Sequence, residues 1–358
     1  MLRIQSIRSA IILASLLACF FAPRFEGQQA KPTGTAAVKP EAQAEAGAKQ
    51  PAEDWAGLEA LRAPVALKQA LPGPEAELGS SDSGGFSREL IEAEWRTGDP
   101  IDLYIVKPKG VERPPVVLYL FSYPSELDRY KDNNYCDFLT RHGFAAVGFV
   151  SPLTGQRYHD IPQKKWFVSE LPMTLTYSVQ DVQLILDYLE KRGDMDMTRV
   201  GMFGDGSGAT IAVLAAAVDS RIKAVDLLNP WGDWPDWFAH STLVPKDERD
   251  DYLKPEFLSN LENLDPVKWL PRIKAHGRLQ YVMKGVTVTP DVAKQRVAAV
   301  APANVKVVRY ENSQDFFKNV ALTGTGFDWI KQQLTSPAQR QAPSKAAAPT
   351  RPSANQSR

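Results

Sequence analysis

Histidine and cysteine are scarce in this chain, with four and two among 358 residues. Cys19 lies in an apolar N-terminal run and Cys136 stands alone in a predicted helix. That pattern excludes a disulfide framework and a Cys/His metal cluster. Net charge is missing too: Lys plus Arg and Asp plus Glu are 42 each, and the pI is about 6.9. No general attraction to nucleic acid follows from such a balance. Long apolar runs are also absent. The one from Ala10 to Ala22 is too short to span a bilayer. No cofactor and no metal are expected.

Arg3 and Arg8 precede that run, which gives residues 1–22 the basic-then-apolar layout of a secretory signal. Leu16-Leu17-Ala18-Cys19 resembles a bacterial lipobox, which would make a lipid on Cys19 the one membrane attachment. The expected protein is therefore exported: periplasmic, secreted or lipid-anchored. Residues 23–75 are rich in Ala, Glu, Gln, Lys and Pro, and bury too little apolar surface to offset their ordering entropy. They read as a disordered linker, with room for a short helix over Trp55 to Leu61. Residues 336–358 carry Arg340, Lys345, Arg351 and Arg358 without an acid, and read as a disordered basic tail.

Between these flanks, over 84–335, apolar strand-like runs alternate with amphipathic helical spacing. This is the pattern of a mostly parallel sheet covered on both faces. Phe86 to Glu94 and Ile101 to Lys107 flank the turn signal Thr97-Gly98-Asp99-Pro100 and read as a hairpin. Strands are expected at Pro115 to Phe121, Phe144 to Val150, Val200 to Phe203, Ile222 to Leu228, Leu279 to Met283 and Val305 to Tyr310. Helices are expected near Tyr130 to His142, over Leu175 to Arg192 and over Ala209 to Val218.

The informative segment is Val200 to Val218. A strand runs into Gly204-Asp205-Gly206-Ser207-Gly208 and then into an apolar helix. A G-x-S-x-G elbow occupies that context when it raises a nucleophile on a strained strand-to-helix turn. Aligned without gaps, the flanking glycines are Gly204 and Gly208, and the centre is Gly206. Ser207 is one place late. Shifting the register to use Ser207 puts Asp205 where close packing wants glycine, and making Asp205 the nucleophile puts Phe203 there. Glycine at the centre takes the strained conformation at little steric cost and carries no hydroxyl.

With these residues, Phe86 to Leu334 resembles the α/β-hydrolase superfamily, in particular its dienelactone-hydrolase and peptidase-like branch. Supporting stretches are Asp181 through Leu189, the elbow, Arg221 to Val225, and Asp265-Pro266-Val267-Lys268-Trp269-Leu270-Pro271. The resemblance implies an α/β-hydrolase fold with a lid insertion after the sixth strand, and a Ser-His-Asp triad at set places. The acid belongs after the seventh strand, where Lys284 to Pro290 holds no carboxylate and Thr289 stands nearest; Asp291 reads as a helix-start residue. Asp233 is a second place from which an acid could come. The histidine belongs after the eighth strand, where Asp315 is found, and Asp is a far weaker base than His at neutral pH. His142, His159, His240 and His276 all fall elsewhere. His240 would have to swing over the elbow to serve Ser207. In place of an oxyanion-donating His-Gly, the third strand ends in Phe121-Ser122-Tyr123-Pro124. Trp231, Trp234 and Trp237 either wall a ligand cleft or pack the lid onto the domain.

Three functions follow: a binding or scaffolding pseudo-enzyme with a small ligand in the cleft, an active hydrolase using Ser207 with Asp233 and His240, or a structural envelope protein. The targeting expectation has a direct check. N-terminal sequencing of the protein from fractionated source cells should show the first two or three dozen residues removed. An intact Met1 in the cytosol overturns it.

Overall fold

The computed structural model describes residues 61, 69–72, 84–96, 99–121, 128–149, 151–154, 168–321 and 325–335. Cys19 and the other expectations for residues 1–60 and 336–358 lie outside these. The strands are β1 (Gln69–Pro72), β2 (Phe86–Arg96), β3 (Asp99–Pro108), β4 (Pro115–Leu120), β5 (Ala145–Phe149), β6 (Asp196–Asp205), β7 (Ile222–Leu228), β8 (His276–Lys284) and β9 (Val305–Asn312). They form one sheet in the order β1-β2-β3-β5-β4-β6-β7-β8-β9. β1, β2, β3 and β5 pair antiparallel in succession, and every pair from β5 through β4 to β9 is parallel. Crossover helices hold the parallel strands in register and cover both faces, which makes central strands such as β4 buried almost throughout.

β1 revises the sequence reading. Gln69–Pro72 pairs with Glu94 to Ile91, and Leu61 is fully buried with its carbonyl accepting from Gln183 Nε2. The ordered sheet thus starts inside the stretch expected to be a linker. The composition concealed this because an edge strand needs only one paired side and one buried face.

The main helices are α1 (Asn133–Thr140), α2 (Leu171–Arg192) and α3 (Ser207–Val218). Asp132 starts α1 by accepting from the backbone of Asn134 and Tyr135, which separates it from the 3-10 turn Asp128–Lys131. α2 ends at Gly193, whose φ of 73° suits the left-handed C-cap. α3 is buried on every side over its first ten residues, because strands β4, β6 and β7 lie under it and α2 lies over it. Between β7 and β8 runs a helical insertion: α4 (Trp234–His240), α5 (Arg249–Tyr252), α6 (Pro255–Ser259) and α7 (Pro266–Trp269). α8 (Asp291–Ala299), α9 (Ser313–Phe316) and α10 (Thr325–Leu334) complete the chain. β7, which leads into the insertion, is the strand counted sixth from sequence, since β1 was not foreseen. Among the described residues no helix is long and apolar enough to cross a membrane.

The α10 side of the sheet contains one expensive feature. Arg278 donates two hydrogen bonds to Asp226, at 2.6 and 3.0 Å, and the pair is 8% and 2% exposed. Gln280 Nε2 adds a third at 2.7 Å, and Tyr310 Oη donates to Gln280 Oε1. The Arg278 guanidinium also lies 5.1 Å from the Trp329 ring. A buried ion pair returns its desolvation cost only when its hydrogen bonds are completed, as they are here. Removing one partner leaves a buried charge, so Asp226→Ala should cost about 3–5 kcal/mol of stability, whereas the apolar pair Asp226→Leu/Arg278→Met should cost far less. Urea unfolding of both variants checks this.

Candidate active site: the elbow and its surroundings

β6 ends at Asp205, α3 starts at Ser207, and Gly206 makes the turn with φ 53° and ψ −117°. Few side-chain-bearing residues adopt that conformation, and a central nucleophile in an elbow is forced into such strain. Gly206 is therefore the apex, as the ungapped alignment expects. The flanking glycines are required by contact. A Cβ on Gly204 would lie 2.5 Å from Ala209 Cα, and one on Gly208 would lie 2.3 Å from the Leu120 carbonyl oxygen. Only glycine permits these approaches. The Gly206 N–H donates to Leu228 O at 2.8 Å, which ties the apex to β7. Ser207 is on the first turn of α3 and is 1% exposed.

Asp205 shares the apex and is 9% exposed at the end of β6. Burial raises its pKa to about 7, against the opposing pull of the Arg129 guanidinium and a hydrogen bond from Gly206. No salt bridge reaches it among the described residues. Arg129 stacks 3.8 Å over the Phe121 ring, and Phe121 lies 6.4 Å from Phe203. Strand alternation places Phe203 and Asp205 on the same face, so carboxyl, aromatic pair and guanidinium gather at the carboxyl ends of β4 and β6. Arg129 was not foreseen, because nothing in Asp128-Arg129-Tyr130-Lys131 marks it. Ser122 and Tyr123, which stand where the resemblance places an oxyanion-donating His-Gly, lie outside the described residues.

The remaining expected positions are used for structure. Asp315 accepts from Glu311 N at 2.9 Å while its own N–H donates to Asn312 Oδ1 at 3.0 Å. This reciprocal cap fixes the start of α9. Thr289 is 1% exposed and donates to the Asn229 carbonyl at 3.0 Å. Asp291 opens α8, as expected, and meets the buried Lys294 Nζ at 3.1 Å. Lys294, unnoticed in sequence, also donates to Val286 O. Asp233 has a left-handed backbone (φ 53°) and faces Arg296 at 3.0 Å rather than a histidine. His240 is 65% exposed at the end of α4 and pairs with Asp236 at 2.8 Å. The structure thus does not bring His240 to Ser207, and the reason is the local i,i+4 partner on its own helix. His142 is stacked on Phe144 beside Gly143, and His276 starts β8; both mark the amino ends of the strands, opposite the elbow. His159 lies outside the described residues.

The tryptophans pack rather than wall a cleft at the elbow. Trp231, Trp234 and Trp237 are at most 1% exposed. Trp237 meets Trp231 at 4.9 Å and Trp234 at 5.7 Å, and Phe238 extends the cluster to Tyr252 and Phe257 in α5 and α6. Asp265 orients the segment, accepting from the N–H groups of Asp233, Trp234 and Val267. It caps α4 and α7 together. The Asp265-Pro266 pair signals that role in sequence, since Asp at the N-cap followed by Pro at N1 is a helix start. Trp234 also lines a separate groove of about 530 Å³ against α6 and α7.

The Asp205 shift has a sign that can be measured. Its folded pKa lies above the unfolded carboxylate value, so the fold favours the protonated form. Stability is unpenalised below the ordinary carboxylate range and falls as pH rises from there to about 7. Asp205→Asn should therefore stabilise the protein at pH 8 and leave it nearly unchanged at pH 4, as read from thermal melts of both proteins.

No family model matches the chain. A Bacillus subtilis (strain 168) protein named Putative hydrolase YtaP is 30% identical over 143 residues, which is 35% of this chain. The match spans about half that relative's length, 47%. Acetyl xylan esterase from Paenibacillus sp. R4 superposes with a TM-score of 0.60 at 19% identity, covering 78% of this chain and 93% of the esterase. An acylaminoacyl peptidase of Pyrococcus horikoshii superposes at 0.54 with 13% identity, covering 74% of this chain and 44% of the peptidase. Strand order, elbow conformation and these superpositions agree: the chain has the α/β-hydrolase fold.

Proposed function

We propose that this protein is an exported α/β-hydrolase-fold protein that binds a small ligand or partner at the elbow instead of hydrolysing it. The observation that carries the reading is Gly206, which holds the backbone conformation of a nucleophile at φ 53° without a side chain to react. Asp315 supports it, since its carboxylate is committed to a helix cap. Retention of the turn keeps the first N–H groups of α3 directed at the carboxyl end of the sheet, a setting that favours negative or oxyanion-like groups. Export rests on the Arg3, Arg8 and Ala10 to Ala22 layout.

Turnover of an activated aryl ester by the purified chain separates binding from catalysis. A scaffold without a triad retains at most about 10³–10⁴-fold over water in the best-studied serine protease case. Rates at or below that level are expected, unchanged by Ser207→Ala and by His159→Ala. Faster turnover abolished by Ser207→Ala, with melting temperature unchanged, would establish an atypical nucleophile and overturn the reading; the His159→Ala arm would then identify its base.

A further inference from the structure

The groove beside Trp234 is separate from the elbow and no step of the reading above uses it. Its lining is apolar at Pro235, Pro255, Leu258 and Val267, with Trp234 beside them but only 1% exposed. Glu262 stands exposed at its rim and the Asp265 carboxylate lies within its lining; Lys268 is the one cation there and donates to Asn263. The surface leading to it over α5 and α6 is acidic. Asp247, Asp250, Asp251, Glu256 and Glu262 are exposed, against Lys246 and Lys254, and Lys254 is paired with Asp251 at 2.6 Å.

The chain contains a segment of matching chemistry. Residues 336–358 hold Arg340, Lys345, Arg351 and Arg358, no acid, and prolines at 337, 343, 349 and 352. Pro-rich segments are biased to the polyproline II form, which docks in aromatic- and proline-lined grooves with little entropy left to lose. Reach is not limiting. At about 3 Å per residue the tail extends on the order of 70 Å, while a folded domain of roughly 250 residues is about 45 Å across. Tethering also raises the effective concentration to about the millimolar range, so a weak contact suffices.

We propose that the acid-rimmed groove lined by Trp234, Pro255 and Leu258 is a docking site for the protein's own C-terminal segment, residues 336–358. The contact joins apolar seating of proline and alanine to charge pairing along the α5–α6 face. It covers an apolar surface on the insertion and leaves the elbow open.

The test uses the full chain with Cys19→Ser and Ser344→Cys, carrying a nitroxide on the new thiol. Cys136 is buried and its thiol pKa is pushed up to about 11, so it does not compete for the label. The Trp234 indole N–H resonance, assigned by Trp234→Phe, should be broadened at about 0.01 M ionic strength and recover at about 1 M, where the screening length falls from about 30 to 3 Å. Two variants should each lose the broadening: Glu256→Lys/Glu262→Lys, and Arg340, Lys345, Arg351 and Arg358 all changed to Gln. The second leaves the folded domain untouched, which guards against misfolding as an explanation. Dilution of isotope-enriched, nitroxide-labelled chain with an excess of unlabelled chain at natural isotopic abundance separates the occupants, since only the labelled chain's Trp234 is then observed. Broadening that persists at constant label supports the same-chain contact. Broadening that vanishes on dilution assigns the groove to a second copy and overturns the proposal, as does an unbroadened Trp234 or an all-Gln tail that still broadens it.

Discussion

The structure depends on a backbone-to-backbone contact. α3 lies so close to β4 and β6 that Gly204 and Gly208 have no room for a methyl group, and the Leu120 carbonyl occupies the space a side chain at 208 would need. That contact sets the pitch of α3 against the sheet and, with the Gly206 N–H held by Leu228, fixes the turn between them. It also explains how the turn keeps its shape with a glycine at the apex. The flanking glycines are demanded by packing and the central one by conformation alone, so a side chain at the apex would be held under backbone strain.

In the insertion, Asp265 plays a comparable organising part. One carboxylate satisfies three backbone N–H groups across two helix starts, and burial of the group raises its pKa against the effect of those bonds. The aromatic cluster of Trp231, Trp237 and Phe238 then packs α4 against α5 and α6 through Tyr252 and Phe257. Thr210 on α3 donates to the Trp231 carbonyl at 2.8 Å, linking this cluster to the elbow helix. Insertion and elbow are thereby parts of one packed unit.

The centre of the sheet was legible in the sequence because β4, β5 and β7 are buried almost throughout and read as apolar runs; the expected span Ile222 to Leu228 is β7 to the residue. The Gly206 apex was legible because glycine spacing reports steric demand directly. β1 was not, since a four-residue edge strand leaves almost no period to detect. The tryptophans were ambiguous because an indole in a pocket and an indole in a core share one composition. Arg129 and Lys294 were invisible: their significance arises from neighbours distant in sequence, Phe121 and Asp205 for one, the Val286 carbonyl for the other. His240 keeps to the surface with a partner one turn away, while the long-range role of serving Ser207 stood only as an alternative.

The hydrogen bond from Thr289 to Asn229 bears on the chain's possible histories. Asn229 adopts a left-handed φ of 45°, accepts from Val282 through its side chain, and receives Thr289 on its carbonyl. Thr289 and Asp315 are each bonded into the fold. Replacing Asp315 with an imidazole would undo the cap of α9, and a carboxylate at 289 would be driven against a carbonyl oxygen. Each of these two substitutions thus gives up a hydrogen bond that the fold uses. Positions 289 and 315 are thereby constrained by local structure, whatever chemistry the elbow carries.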